Sequence, residues 1–222
     1  MTTQTILLLL IPIAYLAGSI PFGLLVGRAK GIDPRTAGSG NIGATNLGRL
    51  LGLKFFFIVF VLDLLKGLLP MAAASWVLSR DGAAADRSAM VNLLHLLIGF
   101  AGICGHMFSV FLRFTGGKGV ATSTGVALGL YPFFTVAGLG AMTVWIVVFV
   151  AFRYVSLASI VGAAAFPLTF IIIGRLNGWD PFGRQLPLLL FAILVTVLIV
   201  VRHRSNIARL RAGTENKIAR KK

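Results

Sequence analysis

Residues 119–152 read GVATSTGVALGLYPFFTVAGLGAMTVWIVVFVAF, a stretch of 34 residues without one charged side chain. A membrane helix needs about 20 apolar residues to cross the bilayer, so this stretch is too long for one comfortable crossing. It is also interrupted at Gly129-Leu130-Tyr131-Pro132, after a first piece of only 10 residues. Whether the chain crosses here once or twice decides on which side of the membrane every later segment lies.

The composition of the whole chain is typical of a membrane protein. Of its 222 residues 57% are hydrophobic and 12% are charged, and the mean hydropathy is +0.92, whereas a soluble domain has about a quarter of its residues charged. Met1–Gln4 contains no Lys or Arg, so we expect no cleaved signal peptide. Five further apolar segments are predicted to be membrane helices, at about 5–26, 55–78, 90–112, 157–174 and 185–201.

Basic residues decide between one crossing and two, because cytoplasmic loops of membrane proteins collect Lys and Arg. With two crossings in 119–152, sixteen of the 21 Lys and Arg residues share one side, and Lys66 lies within the membrane. The four on the other side are Arg80, Arg87, Arg175 and Arg184. With one crossing the split becomes nine against eleven. We therefore predict an all-α membrane protein with seven transmembrane helices, an outer N-terminus and a cytoplasmic C-terminus.

This topology predicts a single transmembrane domain at 1–201 and a basic cytoplasmic tail at 202–222. Three polar segments, 38–49, 115–124 and 153–159, then share the cytoplasmic side with the tail. The net charge of +15 is interpreted as topology rather than as nucleic-acid binding, since the sequence contains no DNA-binding motif. The convergence of the polar segments is the main indication of a functional site.

The first polar segment reads Gly38-Ser39-Gly40-Asn41-Ile42-Gly43-Ala44-Thr45-Asn46. Its glycines permit positive φ angles, which turn successive backbone N–H groups towards one point and favour an anion there. An ordinary loop of small polar residues is the alternative. Arg49 follows, and we expect it at the start of a short helical stretch.

The second polar segment reads Thr115-Gly116-Gly117-Lys118-Gly119-Val120-Ala121-Thr122 and opens a predicted helix. Backbone N–H groups and the helix dipole favour phosphate at such a position. The spacing of a nucleotide P-loop is absent, so we do not infer ATP. A cytoplasmic turn with one topological lysine is the alternative.

Two later segments carry polar side chains beside apolar helices. Ser156 is either the N-cap of the next helix or a ligand contact. His203 and Asn206 are three residues apart and share a face if the chain is helical there, and His203 can move a proton near neutral pH. A basic tail that touches anionic lipid is the alternative for this region.

Within the predicted helices, Asp63 and Lys66 are spaced i,i+3 and are interpreted as an ion pair. His95 and His106 are interpreted as hydrogen-bonded helix-packing residues. Cys104 is the only cysteine, which excludes an intramolecular disulfide and a multi-cysteine metal site.

Together these segments, with Gly105-His106-Met107-Phe108, Ser156-Leu157-Ala158-Ser159 and His203-x-x-Asn206-Ile207, resemble the bacterial acyl-phosphate-dependent glycerol-3-phosphate acyltransferases. The resemblance covers nearly the whole chain. It implies a seven-helix inner-membrane enzyme that moves an acyl group from acyl phosphate to the 1-hydroxyl of glycerol 3-phosphate. The product would be lysophosphatidic acid, in the first acylation of phospholipid synthesis. Two residues depart from the commonest family pattern, Ser109 in place of Pro and Thr115 in place of a basic residue.

The resemblance also implies residue roles and partners. No cofactor or metal is expected, and the partners are the two substrates, membrane lipids and, as a further candidate, the soluble enzyme that makes acyl phosphate. The catalytic set would be Lys118, His203, Arg49 and Asn206. The substrate-binding and phosphate-binding set would be Ser39, Gly40, Asn41, Gly43, Thr45, Asn46, Gly116, Gly117, Gly119, Thr122, Ser156 and Ser159. Either His203 or a substrate phosphate oxygen would accept the proton.

Two other classes of protein use similar features. A transporter for an organic phosphate also combines basic loops with broken helices, but it usually shows two related halves. These motifs do not repeat along the chain. A non-catalytic membrane scaffold would not need four separate polar segments on one side.

Overall fold

The computed structural model describes residues 1–80 and 89–218. Arg87 and the last three basic residues, Arg220, Lys221 and Lys222, which entered the charge count, lie outside the described residues. Within the described ranges the chain forms helices and turns but no strand. It divides into two compact units, Met1–Leu130 and Tyr131–Lys222.

The described residues of the first unit, 1–80 and 89–130, form six α-helices. They are α1 (Thr3–Ser19), α2 (Phe22–Arg28), α3 (Ala44–Leu51), α4 (Leu53–Arg80), α5 (Ala89–Met107) and α6 (Val120–Gly129). The predicted first helix is divided in two at Ile20-Pro21, because proline has no N–H to continue the helical hydrogen bonds. The third ends earlier than expected, at Met107, and a short 3₁₀ helix at Val110–Leu112 follows.

Small residues let the helices of the first unit approach one another closely. A Cβ added to Gly18 of α1 would lie 2.2 Å from the carbonyl oxygen of Gly102 on α5. A Cβ on Gly125 of α6 would lie 2.0 Å from the carbonyl oxygen of Leu64 on α4. Helices in a membrane pack through such small residues, since lipid offers them no hydrophobic driving force.

The second unit forms four α-helices over its described part, 131–218. They are α7 (Phe133–Phe152), α8 (Val155–Leu176), α9 (Leu186–Arg202) and α10 (Arg204–Arg211). Phe134 is the centre of its aromatic core, with ring centroids of Phe166, Phe170 and Phe191 within 5.1 to 5.7 Å. Thr196 Oγ1 donates to the Ala163 carbonyl at 2.7 Å and joins α9 to α8.

The described residues include five helical spans long and apolar enough to cross a membrane, or six if the bent pair α9 and α10 counts as one. The predicted interruption at Gly129-Leu130-Tyr131-Pro132 is confirmed, because α6 ends at Gly129 and α7 begins at Phe133. Helix α6 has 10 residues and is therefore about 15 Å long at 1.5 Å per residue. It is shorter than the roughly 30 Å hydrocarbon core, as the sequence predicts.

Candidate active site

The segment 38–49 folds into a loop that the side chain of Asn46 holds together. Asn46 is buried, and its Oδ1 accepts a hydrogen bond from the Ser39 N–H at 2.9 Å. Its Nδ2 donates to three backbone carbonyls at 2.8 to 3.1 Å, those of Pro34, Ala37 and Asn41. Asn46, a predicted substrate ligand, thus uses its amide to shape the loop.

Two glycines of this loop adopt the positive φ angles that the sequence predicts, namely Gly38 at 62° and Gly40 at 69°. Gly43 does not, and it forms the N-cap of α3 with φ of −74°. Asn41 Oδ1 accepts a hydrogen bond from the Gly43 N–H at 2.9 Å. The Asn41 side chain therefore closes a tight turn with the backbone of Gly43.

The short helix expected near Arg49 is present, but the expected position of Arg49 within it is wrong. Helix α3 begins at Ala44, so Thr45 lies in its first turn and Arg49 in its last. The segment from Gly43 onwards already satisfies helical hydrogen bonding, which moves the start upstream. Arg49 is half-buried, with its Nε shielded from solvent.

We call residues 116–119 the glycine loop. Gly117 donates its N–H to the carbonyl oxygen of His106 at 3.0 Å, and Gly119 turns the chain into α6 with φ of 84°. Lys118 is half-buried between these two buried glycines. The loop therefore presents one cation at the N-terminal end of a helix, where backbone N–H groups face outward.

Thr122 lies one turn into α6 and is fully buried. Its Oγ1 donates to the carbonyl oxygen of Asp63 on α4 at 3.0 Å. This predicted ligand therefore also fastens the start of α6 to α4.

The loop at 38–49 and the chain before the glycine loop share a small apolar cluster. It consists of Leu24, Ile42 and Leu112, which are all buried. Ser109, one of the two departures from the family pattern, is buried and donates its hydroxyl to the Ser19 carbonyl oxygen at 2.6 Å. This hydrogen bond ties the approach to the glycine loop to the end of α1.

In the second unit, Ser156 and Asn206 meet at a carboxylate that the sequence did not single out. Ser156 Oγ and Asn206 Nδ2 donate to Glu215 Oε1 at 2.8 and 2.7 Å. Arg209 Nε donates to Glu215 Oε2 at 2.7 Å. We call these four residues the Glu215 cluster. The N-cap interpretation of Ser156 is wrong, because α8 begins at Val155 with Tyr154 as its N-cap.

The hydrogen bonds keep the Glu215 carboxylate charged although it is buried. Burial raises the pKa of a carboxyl group, but here the hydrogen bonds from Asn206, Ser156 and Arg209 and the Arg209 charge outweigh it. The pKa of Glu215 therefore lies below its ordinary value.

His203 is the N-cap residue of α10 and is buried. Its Nδ1 lies 2.8 Å from the Ile199 carbonyl oxygen, which can only accept, so Nδ1 carries a proton. In the neutral ring Nε2 then has the lone pair, which is the form that a general base requires. Ser159, the remaining predicted ligand in this unit, accepts a hydrogen bond at Oγ from Trp145 Nε1 at 3.2 Å.

Within the first unit the predicted residues lie on two loops, 38–49 with Arg49 and 116–119 with Lys118, and within the second unit Ser156 and Asn206 share the Glu215 carboxylate. Sequence reasoning missed Glu215, although it is the only acidic residue in 202–222 and that isolation was a usable signal. It also missed the contact between His106 and the glycine loop. Chemically, the first group suits phosphate charge and the second suits hydroxyl recognition and proton transfer.

Comparison with known proteins gives one consistent family. The sequence profile of the family described as glycerol-3-phosphate acyltransferase matches residues 8–213. A glycerol-3-phosphate acyltransferase of Trichlorobacter lovleyi is 49% identical over 92% of this chain and 93% of its own length. The enzyme of Geobacter sulfurreducens with the same name is 42% identical over 95% and 96%.

Two solved structures are also similar. They are crystal structures of PlsY, an integral membrane glycerol 3-phosphate acyltransferase, in a glycerol 3-phosphate form and a lysophosphatidic acid form. Both are 38% identical to this chain and cover 96% of it, and the match covers 96% and 95% of those chains. The TM-scores are 0.80 and 0.77.

Proposed function

Because this chain belongs to the glycerol-3-phosphate acyltransferase family, we propose that it transfers an acyl group from acyl phosphate to the 1-hydroxyl of glycerol 3-phosphate. Family membership makes it an integral membrane acyltransferase of the PlsY type. The proposal goes beyond family membership in two respects: the donor is acyl phosphate, and the product is lysophosphatidic acid.

The turn Gly117-Lys118-Gly119 at the start of α6 is the observation that carries the choice of donor. It offers one ammonium and a few backbone N–H groups, which suits a single phosphate leaving group. The spacing of a nucleotide P-loop is absent from the sequence.

The proposed reaction is a direct transfer. The 1-hydroxyl oxygen attacks the acyl carbonyl carbon and forms the ester bond, while the bond from that carbon to the phosphate oxygen breaks. The electron pair of the broken bond leaves with phosphate, and the hydroxyl proton passes to His203 Nε2 or to a phosphate oxygen. Acyl phosphate is a mixed anhydride with a good leaving group, so positioning and charge stabilisation suffice without an acyl-enzyme.

We assign the phosphate charge to Arg49 and Lys118, and the phosphate hydrogen bonds to Ser39, Asn41 and the glycine-loop backbone. Ser156, His203 and Asn206 are assigned to glycerol 3-phosphate. Ser156 donates its only hydroxyl proton to Glu215, so its oxygen is left to accept a hydrogen bond. A substrate hydroxyl can donate that bond, whereas an ionised phosphate oxygen cannot.

We further propose seven crossings with the active site on the cytoplasmic side of the bacterial inner membrane. Residues 1–201 would form the membrane domain and 202–222 the cytoplasmic tail, and the enzyme that makes acyl phosphate is the candidate soluble partner. Single cysteines placed at 115, 179 and 212 in a Cys104→Ala background test the topology in intact cells. We expect labelling from outside only at 179; labelling of 212 with protection of 179 would contradict two crossings in 119–152.

The donor is tested with purified protein, radiolabelled glycerol 3-phosphate and either palmitoyl phosphate or palmitoyl-CoA. We expect radiolabelled lysophosphatidic acid and stoichiometric phosphate release from palmitoyl phosphate alone. Comparable product from palmitoyl-CoA would contradict the donor assignment. No product from either donor would contradict the proposed function.

A further inference from the structure

Three ionisable side chains are buried together in the first unit, and the proposed reaction does not use them. Lys66 Nζ lies 2.8 Å from Asp63 Oδ1 within α4, which confirms the predicted ion pair. His106 Nδ1, on α5, lies 3.6 Å from the same oxygen. All three residues are at most 5% exposed, so their burial needs a reason.

His106 also forms the surface against which the glycine loop lies. Its carbonyl oxygen accepts the Gly117 N–H at 3.0 Å. A Cβ added to Gly116 would lie 2.2 Å from that same carbonyl oxygen, and one added to Gly117 would lie 2.1 Å from the ring atom Nε2. Backbone and ring of one residue thus determine how close these two glycines come to α5.

The reason for glycine differs along the loop. Gly119 needs glycine for its φ of 84°, whatever surrounds it. The φ of Gly117 is not positive, so its backbone conformation alone would permit a side chain. Only the His106 ring excludes a Cβ at Gly117, which makes the ring a determinant of the loop's position.

The Asp63–Lys66 pair is attached to the same region at two further points. Lys66 Nζ donates to the Ile20 carbonyl oxygen, in the break between α1 and α2, at 2.8 Å. The Asp63 carbonyl oxygen accepts the Thr122 hydroxyl at 3.0 Å, one turn after the glycine loop. The pair therefore lies against the His106 ring, which supports the glycine loop, and is also joined to α6, the helix that follows the loop.

We propose that His106 is a positioning residue for the glycine loop, held in place by the buried Asp63–Lys66 pair. The proposal rests on the proposed function, because it assumes that the glycine loop binds a substrate phosphate. An ion pair that only stabilised the membrane domain would be replaceable by apolar residues without a specific effect on the loop.

The test is a double-mutant cycle between His106 and Gly117, measured as kcat/KM with acyl phosphate and glycerol 3-phosphate. Alone, Gly117→Ala should reduce kcat/KM by on the order of a hundredfold, since it displaces the loop by about an ångström. His106→Asn keeps an amide near the position of Nδ1 but lacks the ring atom that the new methyl group at position 117 would meet. In that background Gly117→Ala should cause a further loss of less than about threefold, a coupling that independent sites do not show.

Two controls separate the ring from general effects. His95→Asn removes another buried histidine of α5, whose Nε2 lies 3.3 Å from Ser75 Oγ, and should change kcat/KM by less than about threefold. Gly119→Ala should be equally defective in the wild-type and His106→Asn backgrounds, because a Cβ there is opposed by the φ of 84° and by the Met107 side chain rather than by His106. Each variant is also compared by size-exclusion profile and thermal unfolding in detergent.

The outcomes are distinguishable from failure of the proposed function. Wild-type protein without turnover would reject the function itself. Given wild-type turnover, the positioning role would be overturned if the losses of kcat/KM in His106→Asn and Gly117→Ala simply multiplied in the double mutant. It would also be overturned if His106→Asn had the same kcat/KM as His95→Asn. If His106→Asn does not fold, His106→Gln is used instead. Because its amide is longer, it should restore the kcat/KM of Gly117→Ala by less than about threefold. Full recovery of kcat/KM would overturn the steric argument.

Discussion

The glycine loop and the Glu215 cluster are built in opposite ways. The loop uses consecutive residues: we propose that its backbone N–H groups and the Lys118 ammonium bind the substrate, apart from the Gly117 N–H, which donates to the His106 carbonyl oxygen. The Glu215 cluster joins side chains 59 and 9 residues from Glu215 in the chain, through one shared carboxylate. A site made of consecutive residues can be recognised in the sequence, whereas a site whose residues are far apart in the chain cannot.

The comparison also separates two kinds of sensitivity. In the loop, the proposed phosphate binding depends on backbone shape and on one charge, so changes there should alter turnover more than folding. In the cluster, the carboxylate holds several donors at once, so its loss should alter substrate affinity and folding together. Four predictions test this separation.

The largest effect is expected at Lys118. Lys118→Gln should lower kcat by on the order of a hundredfold or more, because an electrostatic stabiliser of the leaving phosphate is lost. Steady-state kinetics with acyl phosphate measures the change, and thermal unfolding checks that the protein is intact. Near-normal kcat in a folded protein would leave the glycine backbone as the only charge-stabilising element of the loop.

The next effect concerns the shape of the phosphate site rather than its charge. Arg49→Lys should lower kcat/KM by about tenfold, because a guanidinium grips phosphate oxygens in a bidentate fork and an ammonium does not. Arg211→Lys, at an exposed position in the last turn of α10, is the matched control and should have little effect. Equal effects at both positions would mean that bulk positive charge suffices.

A smaller, mixed effect is expected at Glu215. Glu215→Gln should raise KM for glycerol 3-phosphate about tenfold and lower the unfolding temperature, since a charged hydrogen bond contributes roughly 1.5 kcal/mol. KM for acyl phosphate should change less. An unchanged unfolding temperature together with unchanged KM values would remove the distinction between the cluster and the loop.

The smallest effect is a pH dependence of stability. Because the pKa of Glu215 is lowered in the folded protein, its stabilisation is complete above the unfolded-state pKa, about 4.3, and is lost as pH falls through the folded-state pKa. The difference in unfolding temperature between wild type and Glu215→Gln should therefore be constant from about pH 8 to 5 and shrink below about 4.3. A difference that already shrinks between about pH 8 and 6 would contradict a lowered pKa.

Much of the fold follows from local properties of the sequence. The apolar segments, the interruption at 129–132 and the Asp63–Lys66 pair were all predicted correctly, since hydropathy, proline position and i,i+3 spacing are read over a few residues. The expectations that failed concern helix boundaries. The first predicted helix is divided at Ile20-Pro21, the third ends at Met107, and the helix starts expected at Arg49 and Ser156 lie further upstream. Both helices begin before the predicted residue, because helical hydrogen bonding already includes residues upstream of it. Amino-acid composition does not show where this hydrogen bonding begins.

The sequence by itself determined a multi-pass helical membrane protein and its family resemblance, and it singled out 38–49 and 115–124 as candidate anion-binding segments. Only the tertiary structure decided that Asn46 holds the first loop, that Glu215 joins Ser156 to Asn206, and that the His106 ring lies against Gly117. The physical reason is that hydropathy and backbone freedom belong to individual residues. The partner of a buried polar group depends instead on which helices pack side by side.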